Sequence, residues 1–181
     1  YKTVEANRLP KRTGESVPAG DVAGMGGVVL KDGAEIFCVR ERAYRLAGGK
    51  ITCVLSPPDY EQTLTVKNVK TEVKVWGGFG GLTYDEKGDS YIITGYGIAW
   101  RYWPATKKIE HLAGTGTNEG LGPGLDGKTY VWGGPTWGAR FHCGPRGIRP
   151  HPTIPDLFVP GSADEMTLKR IWKGRISSLS W

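Results

Sequence analysis

One pattern of short apolar runs and turns occurs three times along the chain, and this repeat restricts the fold more than any other feature. The copies fall within residues 27–55, 81–114 and 147–179. Each copy contains apolar runs separated by Gly, Pro, Asp or Lys-Gly turns, without the 3.6-residue apolar spacing of an amphipathic helix. The pattern therefore predicts four antiparallel strands in each copy.

A four-stranded sheet that is apolar on both faces cannot fold alone, so neighbouring copies must stack on one another. This requirement predicts an all-β chain built as a β-propeller, with about three four-stranded antiparallel blades that form part of a ring. The blades are expected near residues 24–56, 78–114 and 139–181, with long connectors between them. Residues 1–23 show no strand alternation and predict an extended N-terminal arm, which either wraps a partner or is a mobile terminus.

The second and third copies also resemble the NHL-repeat signature. The residues that carry this resemblance are Leu112-Ala113-Gly114-Thr115-Gly116, Gly120, Gly122, Asp126-Gly127, Ala139-Arg140-Phe141, Pro145 and Gly147-Ile148. The first copy lacks the Ala-Arg-Phe motif, and the third has Pro-Thr-Ile-Pro at residues 152–155 where the family has an acidic-Gly turn. The resemblance spans residues 24–181 and implies a β-propeller, commonly of six blades.

Members of the NHL-repeat family include binding platforms, peptidyl-hydroxyglycine lyases and, more distantly, gluconolactonase-like hydrolases, so the fold alone does not select a function. Three blades cannot close a ring, because propellers have four to eight. The chain is therefore predicted to be a binding and assembly module whose ring is completed by a second copy of itself, by a different chain or by the rest of a cleaved polypeptide. A terminal blade would present an apolar face and an open strand edge to that partner.

The long connector 113–146 holds the candidate binding residues, since loops positioned by a rigid scaffold commonly carry function. They combine aromatic platforms with polar groups that can line one mouth of a propeller channel. These candidates are Asn118, Glu119, Asp126, Trp132, Trp137 and Arg140.

A candidate metal site comprises His142, Cys143 and His151, because imidazole and thiolate groups bind zinc and softer metals. Their spacing is not that of a recognised site, so a further ligand would have to come from another blade or chain. The alternative is a histidine on a strand edge beside a buried thiol. The resemblance accordingly implies a second hypothesis: a subunit of a metal-dependent lyase or hydrolase with zinc or calcium at the channel mouth.

Two further groups of residues have predicted positions in the core. Aromatic side chains of the second copy could stack on sugar rings, but filling the space between blades is favoured. These are Tyr91, Trp100, Tyr102 and Trp103. Cys38 and Cys53 fall on the second and fourth strands of the first copy, which flank the third strand and lie too far apart for a disulfide. Both thiols are predicted to be unpaired.

Charge and motifs exclude several functions. The formal net charge is +6, but the basic residues occur in small groups rather than in one run, which favours a solvated surface over nucleic-acid binding. No apolar run is long enough to predict a membrane span. The glycine-rich residues 77–81 lack the Gly-Lys-Ser/Thr of a phosphate loop, and no Gly-x-Ser-x-Gly nucleophile motif occurs. Only the family resemblance bears on location, and it favours a secreted or periplasmic protein.

Overall fold

A computed structural model describes residues 8–20, 27–75, 80–95, 97–114, 134–135, 148–160 and 169–178. The prediction of an all-β chain is confirmed, because the described residues form four antiparallel sheets. Nothing helical in these ranges has the length and apolar character required to cross a membrane.

The first sheet contains β1 (Ser16–Pro18), β2 (Val28–Val29), β3 (Glu35–Val39), β4 (Arg42–Ala47) and β5 (Lys50–Leu55). The connector that follows contains α1 (Pro57–Tyr60) and a hairpin of β6 (Gln62–Val66) and β7 (Val69–Val73). The second sheet contains β8 (Gly81–Asp85), β9 (Ser90–Gly95), β10 (Ile98–Trp103) and β11 (Lys108–Gly114). The third contains β12 (Gly134–Pro135), β13 (Ile148–Pro150), β14 (Phe158–Pro160), β15 (Lys169–Trp172) and β16 (Arg175–Ser178).

Each of the three large sheets is built around a meander of four consecutive antiparallel strands, and each meander lies within one copy of the repeat. Two sheets gain a fifth strand from the segment that precedes the meander. Strand β1 pairs with β5, and β12 pairs with β16. The fourth strands of the first and third sheets are therefore paired on both sides along part of their length.

The three sheets stack face to face with an apolar core in each seam. Strand alternation sends neighbouring side chains of the second sheet to opposite seams: Tyr91, Ile93 and Trp100 pack toward the first sheet, whereas Ile92 and Ala99 pack toward the third. The core prediction is confirmed for Tyr91, Trp100 and Tyr102, which are all buried. The first seam also receives Ile36, Ala43, Leu55, Tyr60 and Val73, and the second receives Ile148, Phe158 and Ile171.

Among the described residues, the first strand of each following sheet makes the most extensive contacts with the sheet before it. Strand β8 contacts β3 and β4 of the first sheet, and β13 contacts β8 and β9 of the second. A backbone hydrogen bond from Leu82 N–H to the Arg40 carbonyl, at 3.1 Å, also joins the first two sheets at this end.

Residues 8–20 of the N-terminal arm lie against the first sheet. The Tyr44 hydroxyl donates to the Pro10 carbonyl at 3.1 Å, and Cys53 N–H donates to the Glu15 carbonyl at 2.9 Å. The arm residues Leu9 and Ala19 are buried in one cluster with the side chains on the outer face of this sheet. Those side chains are Phe37, Tyr44, Ile51 and Cys53. The outer face of the first sheet is therefore covered by its own chain, and this part of the arm contains strand β1.

The two cysteines of the first sheet lie where the sequence placed them. Cys38 is on β3 and Cys53 is on β5, with β4 between them, and both thiols are free. Burial raises the pKa of the Cys38 thiol to about 12, and it also raises the pKa of Cys53. Because the thiolate is the reactive form, both thiols are expected to react slowly, with Cys53 buried and Cys38 half-buried.

Candidate functional site

Most of the predicted site residues fall outside the described part of the chain. These are Asn118, Glu119, Asp126, Trp132, Trp137, Arg140, His142 and Cys143. Their roles in binding or metal coordination therefore stay predictions.

His151 is the one member of the predicted metal set within the described ranges. It lies after β13, and its Nδ1 atom accepts hydrogen bonds from the backbone N–H groups of Thr153, at 3.2 Å, and Ile154, at 3.0 Å. The ring thus caps the turn of the β13–β14 hairpin, and only Nε2 is left to serve as a metal ligand. Within the described ranges, no group of three or more His, Cys, Asp or Glu residues could hold a metal ion.

The strongest polar constellation in the described residues centres on Arg101 of β10, at the seam between the second and third sheets. Its Nη2 donates to Asp85 Oδ2 at 2.7 Å, and its Nε donates to Ser90 Oγ at 2.9 Å, both within the second sheet. Its Nη1 donates to Asp156 Oδ1 of the third sheet at 2.7 Å. One guanidinium therefore joins two sheets through charge-assisted hydrogen bonds.

Two aromatic rings complete the surroundings of this guanidinium. The Arg101 Cζ atom lies 4.8 Å from the ring centre of Trp103 and 5.4 Å from that of Phe158. The side chain of Arg101 is only 13% exposed, so its charge is compensated in a partly desolvated setting where cation–π contacts contribute. Gly88 leaves the necessary room, since a Cβ at this position would lie 1.9 Å from Arg101 Nη2.

A cleft of about 250 Å³ adjoins this network and opens between the outer strands of the two sheets. Its lining includes Arg101, Glu110 and His111 from the second sheet, and Asp156 and Lys173 from the third. His111 is desolvated by burial, which lowers its pKa, and its Nε2 lies 2.7 Å from the Gly114 carbonyl oxygen. A neutral imidazole that donates to this carbonyl is the form that fits such a setting.

The chemistry of the seam is that of an interlock between sheets. Both carboxylates that contact Arg101 are engaged by its guanidinium, and Glu110 is engaged by Lys108. The Arg101–Asp156 ion pair therefore attaches the third sheet to the second.

Sequence reasoning did not identify the Arg101 site, although one signal for it was present. The motif Arg-x-Trp occurs at residues 101–103 and again at residues 170–172, in equivalent strands of two copies. A repeated cation and aromatic pair on one face of a strand indicates a recurring contact between blades.

Comparisons with known proteins leave the chain without an assigned family. A scan against family models and searches of curated proteins and of solved structures find no match to it.

Proposed function

We propose that the chain is an assembly module: three blades of a propeller-like body that binds another protein chain through its third sheet. The support for the propeller-like arrangement is the stacking of three four-stranded meanders, in which the first strand of each following sheet contacts the sheet before it. This is the arrangement expected for neighbouring blades around an axis. The NHL-repeat resemblance agrees with it.

The observation that carries the proposal is the difference between the two ends of the stack. At the first sheet, Leu9 and Ala19 of the arm cover the outer face. At the third sheet, the inward side chains Ile148, Phe158 and Ile171 are buried, whereas the described outward ones are exposed or half-buried. Repeat proteins are stable only when each terminal unit is capped or partnered. The third sheet is therefore the end that we assign to a partner.

The outward face of the third sheet differs from the apolar face expected for a terminal blade. Its described side chains are cationic, polar and aromatic rather than aliphatic, with Val159 as the exception. They are Arg149, Val159, Arg170, Trp172, Arg175 and Ser177, of which Trp172 also lines the cleft toward the second sheet. Arginine and tryptophan are the residue types that most often dominate the binding energy of protein interfaces. A face of this composition suits a partner that also exists separately from this chain.

Further blades from another chain, or from the rest of a longer polypeptide, would complete the ring in this proposal. The partner would meet the third sheet on one side. On the other side it would contact the arm, residues 8–20, because the arm already covers the first sheet.

Native mass spectrometry of the protein isolated from its source, without tags or denaturation, tests the proposal. We expect a species heavier than one 19.7 kDa chain that contains a second, different polypeptide. An intact mass of 19.7 kDa alone, at concentrations well above typical interface dissociation constants, would contradict the proposal. A mass of two identical chains would contradict the part that assigns a different partner.

A further inference from the structure

The Arg-x-Trp pair of the second sheet recurs in the third with the same local geometry. Arg101 and Trp103 lie on β10, and Arg170 and Trp172 lie on β15, the third strand of each meander. The guanidinium carbon lies 4.8 Å from the Trp103 ring centre in one sheet and 5.6 Å from the Trp172 ring centre in the other. The two pairs are therefore copies of one structural element.

A lysine ammonium group also lies near each of the two tryptophan rings, so the two Arg-x-Trp pairs share this feature as well. Lys108 Nζ lies 5.3 Å from the Trp103 ring centre, and Lys173 Nζ lies 4.5 Å from that of Trp172. On the neighbouring fourth strand, a basic residue is the register partner of each tryptophan: Lys108 for Trp103 and Arg175 for Trp172. Both elements thus present the same combination of charge and ring.

In the second sheet this element receives a hairpin of the following sheet. Asp156 accepts a hydrogen bond from Arg101, and the Phe158 ring lies 5.4 Å from the Arg101 guanidinium carbon. Asp156 has a φ of 55°, and this left-handed residue ends the turn just before the aromatic residue enters the core. The bound motif is therefore an aspartate two residues before an aromatic residue.

The second sheet carries the same motif on the hairpin that faces the first sheet. Asp89 has a φ of 40° and precedes the buried Tyr91 by two residues. The Asp89 carboxylate accepts a hydrogen bond from the Tyr84 hydroxyl of its own sheet at 3.0 Å, whereas Tyr91 packs in the seam with the first sheet. The motif thus occurs in both sheets that follow another sheet in the stack, and in the third sheet its aspartate contacts the preceding sheet.

Arg170 offers the same contact, and no hairpin of the described residues occupies it. Its Nε donates to Ser177 Oγ at 2.9 Å, and within the described residues no carboxylate forms an ion pair with it. Arg149 and Arg175 add positive charge to this face and are exposed. A guanidinium beside an indole on a cationic face is complementary to a carboxylate followed by an aromatic ring.

We propose that Arg170 and Trp172 form a docking site for a β-hairpin of another protein chain, one that presents an aspartate two residues before a phenylalanine or tyrosine. This inference rests on the proposed function and specifies the partner's contact. A second copy does not supply the hairpin through its first sheet. There, Glu35 Oε1 accepts from Gly27 N–H at 2.8 Å, and Phe37 is buried beneath the arm, stacked 5.3 Å from Tyr44.

The probe for this site is a synthetic peptide with the sequence of residues 148–160, the hairpin that occupies the Arg101 site within the chain. Ile148 and Pro160 are register partners, so the two ends of the peptide are adjacent and can be joined to enforce the hairpin. Titration of a fluorescently labelled peptide with the full chain, followed by anisotropy, should show saturable binding. A peptide with Asp156→Asn should bind about three- to fivefold more weakly, because a solvent-exposed charge-assisted hydrogen bond is lost.

Protein variants assign the binding to the site. Arg170→Gln and Trp172→Leu should each weaken binding of the unmodified peptide at least about tenfold, and Arg170→Lys should restore only part of it because lysine lacks the planar fork. Lys31→Gln is the matched control, because it removes one positive charge from an exposed turn of the first sheet. Near-UV circular dichroism confirms that each variant is folded. Equal binding by wild type and Arg170→Gln, or no saturable binding up to about 1 mM peptide, would overturn the proposal.

Native mass spectrometry of the Arg170→Gln variant, expressed in the source cells, separates this inference from the proposed function. Loss of the heavier species supports both. A heavier species of undiminished abundance leaves the proposed function standing and overturns the docking site. If the peptide binds in an Arg170-dependent way but the protein isolated from its source is a single chain, the docking site is supported and the assembly function is contradicted. Self-association that is lost in Arg170→Gln would overturn the assignment to a different chain.

Discussion

Arg101 donates to Asp156 across the seam between the second and third sheets, at 2.7 Å, and the same guanidinium donates to Asp85 within its own sheet at the same distance. One side chain therefore stabilises the interior of the second sheet and attaches the third sheet to it. The two carboxylates differ in exposure: the side chain of Asp85 is 7% exposed and that of Asp156 is 72% exposed.

This difference predicts unequal costs for removing the two carboxylates. Asp85→Ala leaves Arg101 as a partly buried cation without its inner partner, and we expect a loss of about 3 kcal/mol in the free energy of unfolding. Asp156→Ala removes a solvent-exposed partner and should cost less than about 1 kcal/mol. Urea unfolding of both variants checks this. Equal losses would show that the inner and outer ion pairs have the same energetic weight, against the structure.

Gly80 is expected to tolerate no side chain. A Cβ at this position would lie 1.9 Å from the Thr94 carbonyl oxygen, which belongs to the backbone of β9 and cannot move away cheaply. Gly80→Ala should therefore destabilise the protein by more than about 2 kcal/mol. Gly81→Ala is the matched control, since its Cβ would meet the Arg40 carbonyl oxygen at an ordinary 3.8 Å, and its cost should stay within about 1 kcal/mol. Thermal unfolding that ranks the two variants in the opposite order would contradict this packing.

His111 should make the protein less stable at acidic pH. Burial lowers its pKa below the ordinary value of 6.5, so the unfolded chain binds the proton more readily than the folded one. Its contribution to stability is therefore complete above pH 6.5 and is lost as the pH falls from 6.5 toward the lower pKa of the folded state. The His111→Gln variant, which does not titrate, should show a smaller loss of unfolding free energy over this range. Identical pH profiles would exclude His111 as the cause.

The core thiols should resist alkylation in the folded protein. The pKa of Cys38 is raised to about 12, and that of Cys53 is also raised by burial. In a Cys143→Ser background, reaction with iodoacetamide at pH 8 should be at least about a thousandfold slower than in denaturant, because little thiolate forms and access is blocked. Rapid modification of either cysteine under native conditions would show that the first sheet opens readily or packs differently.

Local sequence signals predicted the meanders but not the strands that join them from a distance. The four-strand pattern of each copy follows from alternation and turn residues that lie close together in sequence. Strands β1 and β12 have three and two residues. Each precedes its meander in the sequence but pairs with the last strand of that meander. Such short strands carry almost no sequence pattern, because their stability depends on the edge that they join. The outer face of the first sheet is buried by the arm that contains β1, and the sequence did not predict this burial either.

The hairpin of β6 and β7 did carry a usable signal. Lys67 and Asn68 form its two-residue turn with φ values of 49° and 68°, and an asparagine in such a turn between alternating residues is typical of a hairpin. The sequence contained a weaker signal for the Arg101 network. Asp156 lies 55 residues away from Arg101, so only the three-dimensional stacking of the sheets brings the two side chains together.

Hydrogen exchange of the assembly isolated from its source, compared with the dissociated chain, tests the central claim most directly. If the partner binds the outward face of the third sheet, residues 169–178 should exchange more slowly in the assembly, and the buried strand β9 should be unchanged. Protection confined to other parts of the chain, with residues 169–178 exchanging at the same rate in both states, would contradict the claim that the third sheet is the face that binds the partner.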